Sequence, residues 1–187
     1  MTLRIAAGRF KGKKLHSLPG LATRPLLGMV RAAIFDILGP GCAEDQEVWD
    51  LFAGTGANGL EAYSRGARAV TFVERGPKAL KVLRQNLELL GPDLIASSRV
   101  LRSDAWRAPP GGERPPKLIF LDPPYPQTKA EPIDSIARAE ALRRELAPSG
   151  CLMFHFEDGT LDRTDFGERT ELRTWGTSTV AFLHAPS

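Results

Sequence analysis

The segment at residues 48–59, VWDLFAGTGANG, decides the fold. Its first five residues are an apolar run interrupted by one acid, which is typical of a buried strand, and a glycine-rich stretch then leads into a helix. This order of strand, loop and helix is the unit from which parallel sheets covered by helices are built. In such sheets ligands bind beyond the carboxyl ends of the strands, so we searched the loops that follow strands for chemistry.

The same alternation continues through the rest of the chain. Further strands are predicted at residues 69–73, 99–101, 117–121 and 151–156, with a closing pair at 168–175 and 179–184. Helices are predicted between them, at about 77–90 and 131–146, whereas APPGGERPP at 108–116 cannot be regular structure. We therefore predict an α/β fold with a mostly parallel seven-stranded sheet and helices on both faces.

The first 40 residues form a different unit. Residues 3–6 and 14–18 flank GRFKG at residues 8–12 in a hairpin-like pattern, and residues 29–38 carry apolar side chains at helical spacing. We predict a basic hairpin and helix at residues 1–40, followed by the sheet domain at residues 41–187.

The formal net charge of +3 averages two unlike parts. Residues 1–35 contain seven basic and no acidic residues, and the remaining chain carries 18 basic and 22 acidic residues. This asymmetry favours a polyanionic partner over a solvated basic face, and a targeting peptide would be richer in serine than a segment whose one serine is Ser17. The residues predicted to contact nucleic acid are Arg4, Arg9, Lys11, Lys13, Lys14 and Arg24.

Composition excludes several classes of protein. The 187 residues suit one domain with an appendage, and no apolar run approaches the ~20 residues of a membrane span. Cys42 and Cys151 are far apart and lie in no Cys/His cluster, which argues against a disulfide framework or a structural zinc site. We expect no metal and no membrane contact.

The glycine loop is accompanied by acids at the ends of strands. The glycines between residues 54 and 59 fit GxGxxG, and Glu74 lies at the spacing that a dinucleotide site requires. Asp50 opposes that interpretation, because a carboxylate suits a cationic ligand better than a pyrophosphate. Asp50, Glu74 and Asp104 could singly be a cap, an ion-pair partner and a loop carboxylate, but together they favour one ligand site. A P-loop is excluded, because no GK[ST] follows the glycines.

Residues 50–56, DLFAGTG, resemble the nucleotide-binding motif of class I S-adenosylmethionine-dependent methyltransferases, which have a Rossmann-like sheet. The resemblance implies that Asp50 helps to position the ammonium of the methionine part, through water. It also implies that Glu74 accepts from the ribose hydroxyls and that Asp104 lies near the adenine amine, with Trp106 beside the ring. The cofactor-binding residues expected for S-adenosylmethionine are Asp50, Phe52, Ala53, Gly54, Gly56, Glu74, Arg75, Asp104 and Ala105.

The loop after the fourth strand carries the sharpest motif, Asp122, Pro123, Pro124 and Tyr125. It resembles the [DNS]-P-P-[YFW] motif of methyltransferases that act on planar nitrogens, and these four residues are the predicted catalytic group. Such an amine is a poor nucleophile because its lone pair is delocalised. Acceptance of its two N–H groups by the Asp122 side chain and the Pro123 carbonyl would aim the lone pair at the methyl, while Tyr125 stacks on the flat substrate. The alternative is a turn stiffened by prolines.

Most of the chain resembles one bacterial family, RsmD, which methylates the exocyclic N2 of a guanine in 16S ribosomal RNA. The resemblance includes LRIAAGRFKGKKL at residues 3–15, TRP at 23–25, the glycine loop, the DPPY loop, and WGTST at 175–179. The family pattern differs at LLGM, residues 26–29, at Ala32, and in the strand that contains FHFE, residues 154–157. None of these departures falls on a predicted cofactor residue.

The resemblance implies a cytoplasmic, monomeric RNA methyltransferase whose partner is ribosomal RNA or an assembling small ribosomal subunit. Amino methyltransferases of DNA adenine or protein glutamine share the DPPY loop and remain alternatives. A dinucleotide-dependent oxidoreductase and a non-catalytic RNA-binding descendant are further alternatives. The single histidines of the apolar strands, His155 and His184, are predicted to be structural.

Overall fold

The computed structural model describes residues 3–18, 25–107 and 109–186. Its strands are β1 (Glu47–Leu51), β2 (Ala69–Val73), β3 (Ser98–Leu101), β4 (Leu118–Leu121), β5 (Cys151–Glu157), β6 (Thr170–Trp175) and β7 (Ser178–His184). They form one sheet in the order β3-β2-β1-β4-β5-β7-β6. Pairs among β1 to β5 are parallel, and β7 runs antiparallel between β5 and β6. The predicted mostly parallel seven-stranded sheet is confirmed.

The helices are α1 (Pro25–Leu38), α2 (Ala57–Ser64), α3 (Pro77–Leu90), α4 (Pro92–Ala96), α5 (Tyr125–Ala130) and α6 (Pro132–Arg143), with a 3₁₀ turn at Arg163–Asp165. The predicted helix at about 131–146 corresponds to α6, which begins at Pro132 and ends at Arg143, three residues earlier than predicted. The preceding helix α5 is missing from the prediction. The short helix α4, which begins at Pro92 after Gly91, is missing from the prediction.

Two hydrophobic clusters cover the two faces of the sheet. Successive residues of β1 alternate between them: Val48 packs in the cluster that contains Leu60 of α2, and Trp49 packs in the cluster that contains Leu142 of α6. All five residues of β1 are buried, as expected for a central parallel strand with helices on both sides. The core therefore holds the carboxyl ends of the central strands firmly in place.

The N-terminal segment, residues 3–18, reverses direction around the predicted hairpin turn. A single antiparallel bridge joins Arg4 to Lys14 in place of two regular strands. Ile5 and Leu15 are buried in the same cluster as Leu60 of α2, so the segment packs on the sheet domain. The division of the chain at residue 40 stays a prediction.

Glu61 on α2 holds this segment in place. Its side chain is 0% exposed, and its two carboxylate oxygens accept from the backbone N–H groups of Ala6 (2.7 Å) and Ala7 (3.0 Å). Arg65 Nε donates to it at 2.9 Å and Arg31 Nε lies 3.9 Å away. Removal of a buried carboxylate that has these partners is strongly destabilising.

The segment and α2 approach each other closely at Gly8. A Cβ atom at this position would lie 1.8 Å from the Ser64 carbonyl oxygen, and the φ angle of Gly8 is +78°. The neighbouring Arg9 N–H donates to the same carbonyl at 2.9 Å. Glycine is therefore required here both by space and by conformation.

Replacing Glu61 with alanine should lower the free energy of unfolding by about 3 kcal/mol or more, because it leaves two N–H groups and two arginines without their buried partner. Urea unfolding measures this. The matched control is Glu88→Ala at an exposed position of α3, which should change stability by about 0.5 kcal/mol or less. Equal stabilities of the two variants would contradict this role for Glu61.

Candidate active site

The register of the sheet brings the predicted site segments to one edge. Leu51 pairs with Val73 and with Leu121, and Val73 pairs with Leu101. The segments that follow β1, β2, β3 and β4 therefore emerge side by side at the carboxyl ends of parallel strands. This is the edge where such sheets bind ligands.

The loop after β1 turns through left-handed backbone conformations. Phe52, Gly54 and Gly56 have φ angles of +59°, +56° and +83°. Glu74, after β2, holds this loop: its Oε2 accepts from the Gly54 N–H at 2.8 Å and its Oε1 accepts from the Gly76 N–H at 2.6 Å. Each carboxylate oxygen keeps a second lone pair, so Glu74 can also accept from a ligand hydroxyl.

The glycines of this loop serve two different purposes. A Cβ at Gly56 would lie 2.4 Å from Leu83 Cδ1, and one at Gly59 would lie 2.5 Å from Phe72 Cε1. These two glycines are required by the packing of α2 against the sheet and α3. A Cβ at Gly54 would meet nothing nearer than the Phe52 carbonyl at 3.9 Å, so the room for a ligand among these three glycines lies at Gly54.

Asp50 is a buried carboxyl with one unused oxygen. It is 1% exposed; its Oδ2 accepts from the Gly59 N–H at 2.9 Å, and its Oδ1 has no hydrogen-bond partner among the described residues. Burial raises the pKa of Asp50 to about 8, and the carboxylates of Asp122 and Glu74 act in the same direction. The Gly59 N–H and the Arg31 guanidinium oppose this rise in the pKa. A cation placed at this oxygen would favour the ionised form.

The segment after β3 forms a polar and aromatic wall. Asp104 Oδ1 accepts from the Trp106 N–H at 3.0 Å, and Arg75 Nη1 donates to Asp104 Oδ2 at 3.2 Å. The Arg75 side chain is mostly exposed, and the contact observed for it is the ion pair with Asp104. The Trp106 ring packs edge-on against Phe52 with centroids 5.1 Å apart, and Ala105 is buried beside it.

The DPPY loop is fixed at both ends. The Asp122 N–H donates to the Leu51 carbonyl at 3.3 Å, and the Pro124 carbonyl accepts from the Gln127 N–H at 2.9 Å, which opens α5. Pro123 is buried, whereas the Asp122 side chain is 37% exposed. The carboxylate of Asp122 therefore faces the open edge of the sheet from a rigid backbone.

His155 contacts this loop, contrary to the prediction of a structural histidine in an apolar strand. Its Nδ1 lies 2.8 Å from Asp122 Oδ1, and its Nε2 lies 2.8 Å from the Tyr125 hydroxyl. The Tyr125 hydroxyl also lies 2.8 Å from Ser178 Oγ on β7. Because Leu121 pairs with Phe154 in parallel register, the position of His155 beside Asp122 follows from the pairing of these strands. The sequence does carry a signal for this contact: the polar residue His155 follows Phe154 in the same way as Asp122 follows its register partner Leu121.

The predicted nucleic-acid contacts lie together on the N-terminal segment. Its basic side chains are exposed and form no ion pair with a carboxylate of the described residues; they are Arg4, Arg9, Lys11, Lys13 and Lys14. Arg24 lies outside the described residues. The Arg9 guanidinium stacks over the rings of Tyr63 (4.0 Å) and Phe10 (5.0 Å), which holds a cationic group at the surface of the segment.

Asn86 of α3 connects this segment to the glycine loop. Its Oδ1 accepts from the His16 N–H at 2.7 Å, and its Nδ2 donates to the carbonyls of His16 (3.1 Å) and Thr55 (2.9 Å). It is fully buried. The position of the basic segment relative to the loop is therefore set by direct hydrogen bonds.

The described residues contain neither a cluster of metal ligands nor a helix that could span a membrane. No group of three or more histidine, cysteine, aspartate or glutamate side chains there could hold a metal ion. No helix within those ranges has the length and apolar character needed to cross a membrane.

Comparison with known proteins gives consistent matches. The family model Cons_hypoth95, described as Conserved hypothetical protein 95, matches residues 3–183. YlbH of Bacillus subtilis is 38% identical over 130 residues, which are 68% of this chain and 69% of that protein. Ribosomal RNA small subunit methyltransferase D of Escherichia coli is 34% identical over 123 residues, 66% of this chain and 60% of that protein.

A solved structure matches over nearly the full length. The structure of yhhF from Escherichia coli superposes with a TM-score of 0.76 and 26% identity, covering 99% of this chain and 98% of that chain. The alignments with the two curated relatives, by contrast, span about 60 to 70% of their length. The chain therefore belongs to the Conserved hypothetical protein 95 family, the RsmD family that its sequence resembles.

Proposed function

We propose that this protein transfers a methyl group from S-adenosylmethionine to the exocyclic N2 of a guanine in small-subunit ribosomal RNA. The observation that carries the proposal is that two carboxyl groups suited to different tasks lie at the same edge of the sheet. Asp122 presents a carboxylate for an amine, and Asp50 presents a buried, unused carboxylate oxygen suited to a cation. Membership of the RsmD family supports the guanine and the ribosomal RNA as substrate.

The residues around the glycine loop fit the proposed cofactor. S-adenosylmethionine, when bound, supplies a methyl group activated on a sulfonium. Asp50 would hold the ammonium of its methionine part, and Glu74 would accept from the ribose hydroxyls. Asp104 would accept from the adenine amine, with Phe52 and Trp106 forming the apolar wall. The open space at Gly54 is where the backbone can approach the ligand.

The DPPY loop would hold and activate the amine. Asp122 and the Pro123 carbonyl accept the two N–H groups, which encourages the nitrogen to pyramidalise and directs its lone pair at the methyl. Hydrogen bonds to His155 and Ser178 hold the Tyr125 hydroxyl, so its ring is oriented before a base arrives to stack on it. Orientation of this kind supplies a large part of the rate enhancement of group transfer.

The basic segment would hold the RNA backbone. Phosphate contacts set position and affinity without reading sequence, and five of the six predicted contacts are exposed on a segment anchored by Glu61 and Asn86. A guanine in a paired region would have to leave its stack to reach Asp122. A ribosomal RNA substrate would place the protein in the cytoplasm, while naked RNA or an assembling subunit as partner, and the monomeric state, stay predictions.

The alternatives differ in what they require of the site. DNA adenine or protein glutamine could use the same DPPY loop, but the exposed basic segment favours a nucleic acid over a protein, and the family membership favours RNA over DNA. A dinucleotide would bring a pyrophosphate beside Asp50 and leave its buried Oδ1 without a cationic partner, whereas the ammonium of S-adenosylmethionine would supply one.

Asp122→Ala should reduce transfer of tritiated methyl into RNA by roughly 10²–10⁴-fold, because the amine loses its acceptor. Binding of S-adenosylmethionine, measured by calorimetry, should remain. Asp134→Ala, at an exposed position of α6, is the matched control and should be as active as the wild type. Activity retained by Asp122→Ala, or label that enters DNA or protein in place of RNA, would contradict the proposal.

Replacing Lys11, Lys13 and Lys14 with glutamine should weaken RNA binding and reduce the slope of log K against log salt concentration by about 2. Filter binding over a salt series measures the slope. The control replaces the exposed basic residues Lys78, Lys81 and Arg84 of α3. The same slope in the two triple variants would remove the basic segment from the RNA contact.

S-adenosylmethionine should bind more tightly as the pH rises from 6 to 7.5. The ligand-free Asp50 carboxyl, whose pKa burial raises to about 8, must lose its proton to pair with the ligand's ammonium. The dissociation constant should therefore fall by up to roughly tenfold per pH unit, with one proton released.

Calorimetry in two buffers of different ionisation enthalpy counts the released proton. Asp50→Asn should bind with little pH dependence and without proton release. A flat profile for the wild type would show that Asp50 does not hold the ligand's positive charge.

A further inference from the structure

One part-buried polar cluster holds the Tyr125 hydroxyl in the proposed function, but its contact with Asp122 has no stated role there. It consists of His155 on β5, Tyr125 at the start of α5 and Ser178 on β7, and it joins Asp122 through His155. We propose that His155 is a positioning residue, which fixes the Asp122 carboxylate and the Tyr125 ring in the arrangement that the amine substrate needs. This inference rests on the proposed function for its kinetic consequence, whereas the hydrogen bonds themselves can be tested without it.

The side chain of His155 lies deeper in the protein than that of Asp122. The His155 side chain is 8% exposed, and that of Asp122 is 37% exposed. His155 therefore lies behind Asp122, away from the open edge, and binds only Oδ1. Asp122 Oδ2 forms no hydrogen bond with another of the described residues, so it is left to face the substrate.

For a neutral imidazole and an ionised Asp122, one arrangement of protons satisfies every member of the cluster. An ionised carboxylate can only accept, so His155 Nδ1 must carry the hydrogen that Asp122 Oδ1 receives. Neutral His155 then has a bare Nε2, which accepts from the Tyr125 hydroxyl. The Tyr125 oxygen in turn accepts from the Ser178 hydroxyl, which lies 2.8 Å away. A directional chain thus runs from β7 through α5 and β5 to the DPPY loop.

This chain of hydrogen bonds restricts the rotation of two groups that must meet the substrate together. Without His155, the carboxylate of Asp122 could turn about its terminal bond, and the Tyr125 hydroxyl would lose one of its two observed partners. Because misplacement of about 1 Å can lower a rate by roughly 10²-fold, the effect should fall on the chemical step. Binding of the cofactor, which involves other residues, should be affected much less.

During methyl transfer His155 neither gains nor loses a proton. The bond between N2 and the methyl carbon forms as the bond between sulfur and that carbon breaks, and the electron pair of the broken bond stays on sulfur. The proton released from N2 passes to Asp122 Oδ2 and then to water at the exposed side of the carboxylate. His155 keeps its hydrogen on Nδ1 throughout.

Two substitutions separate the contacts of His155. In His155→Asn, the side-chain amide can place a donor close to the position of Nδ1, which keeps the bond to Asp122. In His155→Gln, the amide oxygen can reach the position of Nε2 and accept from Tyr125, while the donor to Asp122 is lost. Tyr125→Phe and Ser178→Ala remove the other end of the chain and leave His155 in place.

We expect His155→Gln and His155→Leu to lower kcat roughly tenfold to 100-fold with little change in KM for RNA or in binding of S-adenosylhomocysteine. His155→Asn should recover most of kcat. Thermal unfolding of each variant reports its folded state. Loss of activity that follows stability alone, without rescue by His155→Asn, would overturn the positioning role, as would unchanged kcat in all variants.

An NMR measurement tests the same cluster without an assay of activity. Long-range ¹H–¹⁵N spectra of the imidazole nitrogens should show a neutral His155 with hydrogen on Nδ1 at pH 7.5, assigned by the loss of its signals in His155→Asn. Hydrogen on Nε2 with a bare Nδ1 would overturn the inference. If the wild type transferred no methyl to RNA, the proposed function would fail, and the tautomer of His155 would still decide whether it holds Asp122.

Discussion

The parallel register of β1, β2, β3 and β4 is the constraint on which the rest of the site depends. Four strands end level with one another, so the acids that lie within or just after them are brought to one edge. Asp50 is buried there with one unused oxygen, and the carboxylates of Asp122 and Glu74 disfavour its ionised form further. A site crowded with carboxyl groups is unfavourable when empty of positive charge and becomes favourable when a cation occupies it. Its electrostatics therefore select a cationic ligand.

Three side chains connect this edge of the sheet to the N-terminal basic segment. Glu74 holds the glycine loop, Asn86 joins that loop to the basic segment, and Glu61 holds the segment on α2. Each connection is a hydrogen bond between a side chain and a backbone group: Glu74 and Glu61 accept from N–H groups, and Asn86 donates to the Thr55 carbonyl. The proposed cofactor site, which is negative, and the proposed RNA surface, which is positive, are thus joined by hydrogen bonds. The net charge of +3 conceals this division.

Much of the fold could be predicted from the sequence, because alternating apolar runs and glycine-rich breaks report directly on strands and helices. The seven strands follow that pattern, and DPPY marks the proposed reaction loop. Local pattern did not identify α5, a helix of six residues that follows directly on the prolines of the DPPY loop. Nor could it assign separate purposes to Gly54 and Gly56, whose neighbours come from distant segments. His155 illustrates the same limit, because its partner Asp122 is identified by strand pairing rather than by sequence distance.

The central claim is that one guanine N2 in 16S ribosomal RNA receives its methyl group from this protein. The most direct measurement compares modified nucleosides along 16S RNA from cells with and without the protein, followed by treatment of the unmodified RNA with purified protein and S-adenosylmethionine. The account predicts that one N2-methylguanine is absent without the protein and is restored at the same position by the treatment. An unchanged set of N2-methylguanines, or restoration of a methyl group on another atom, would contradict it.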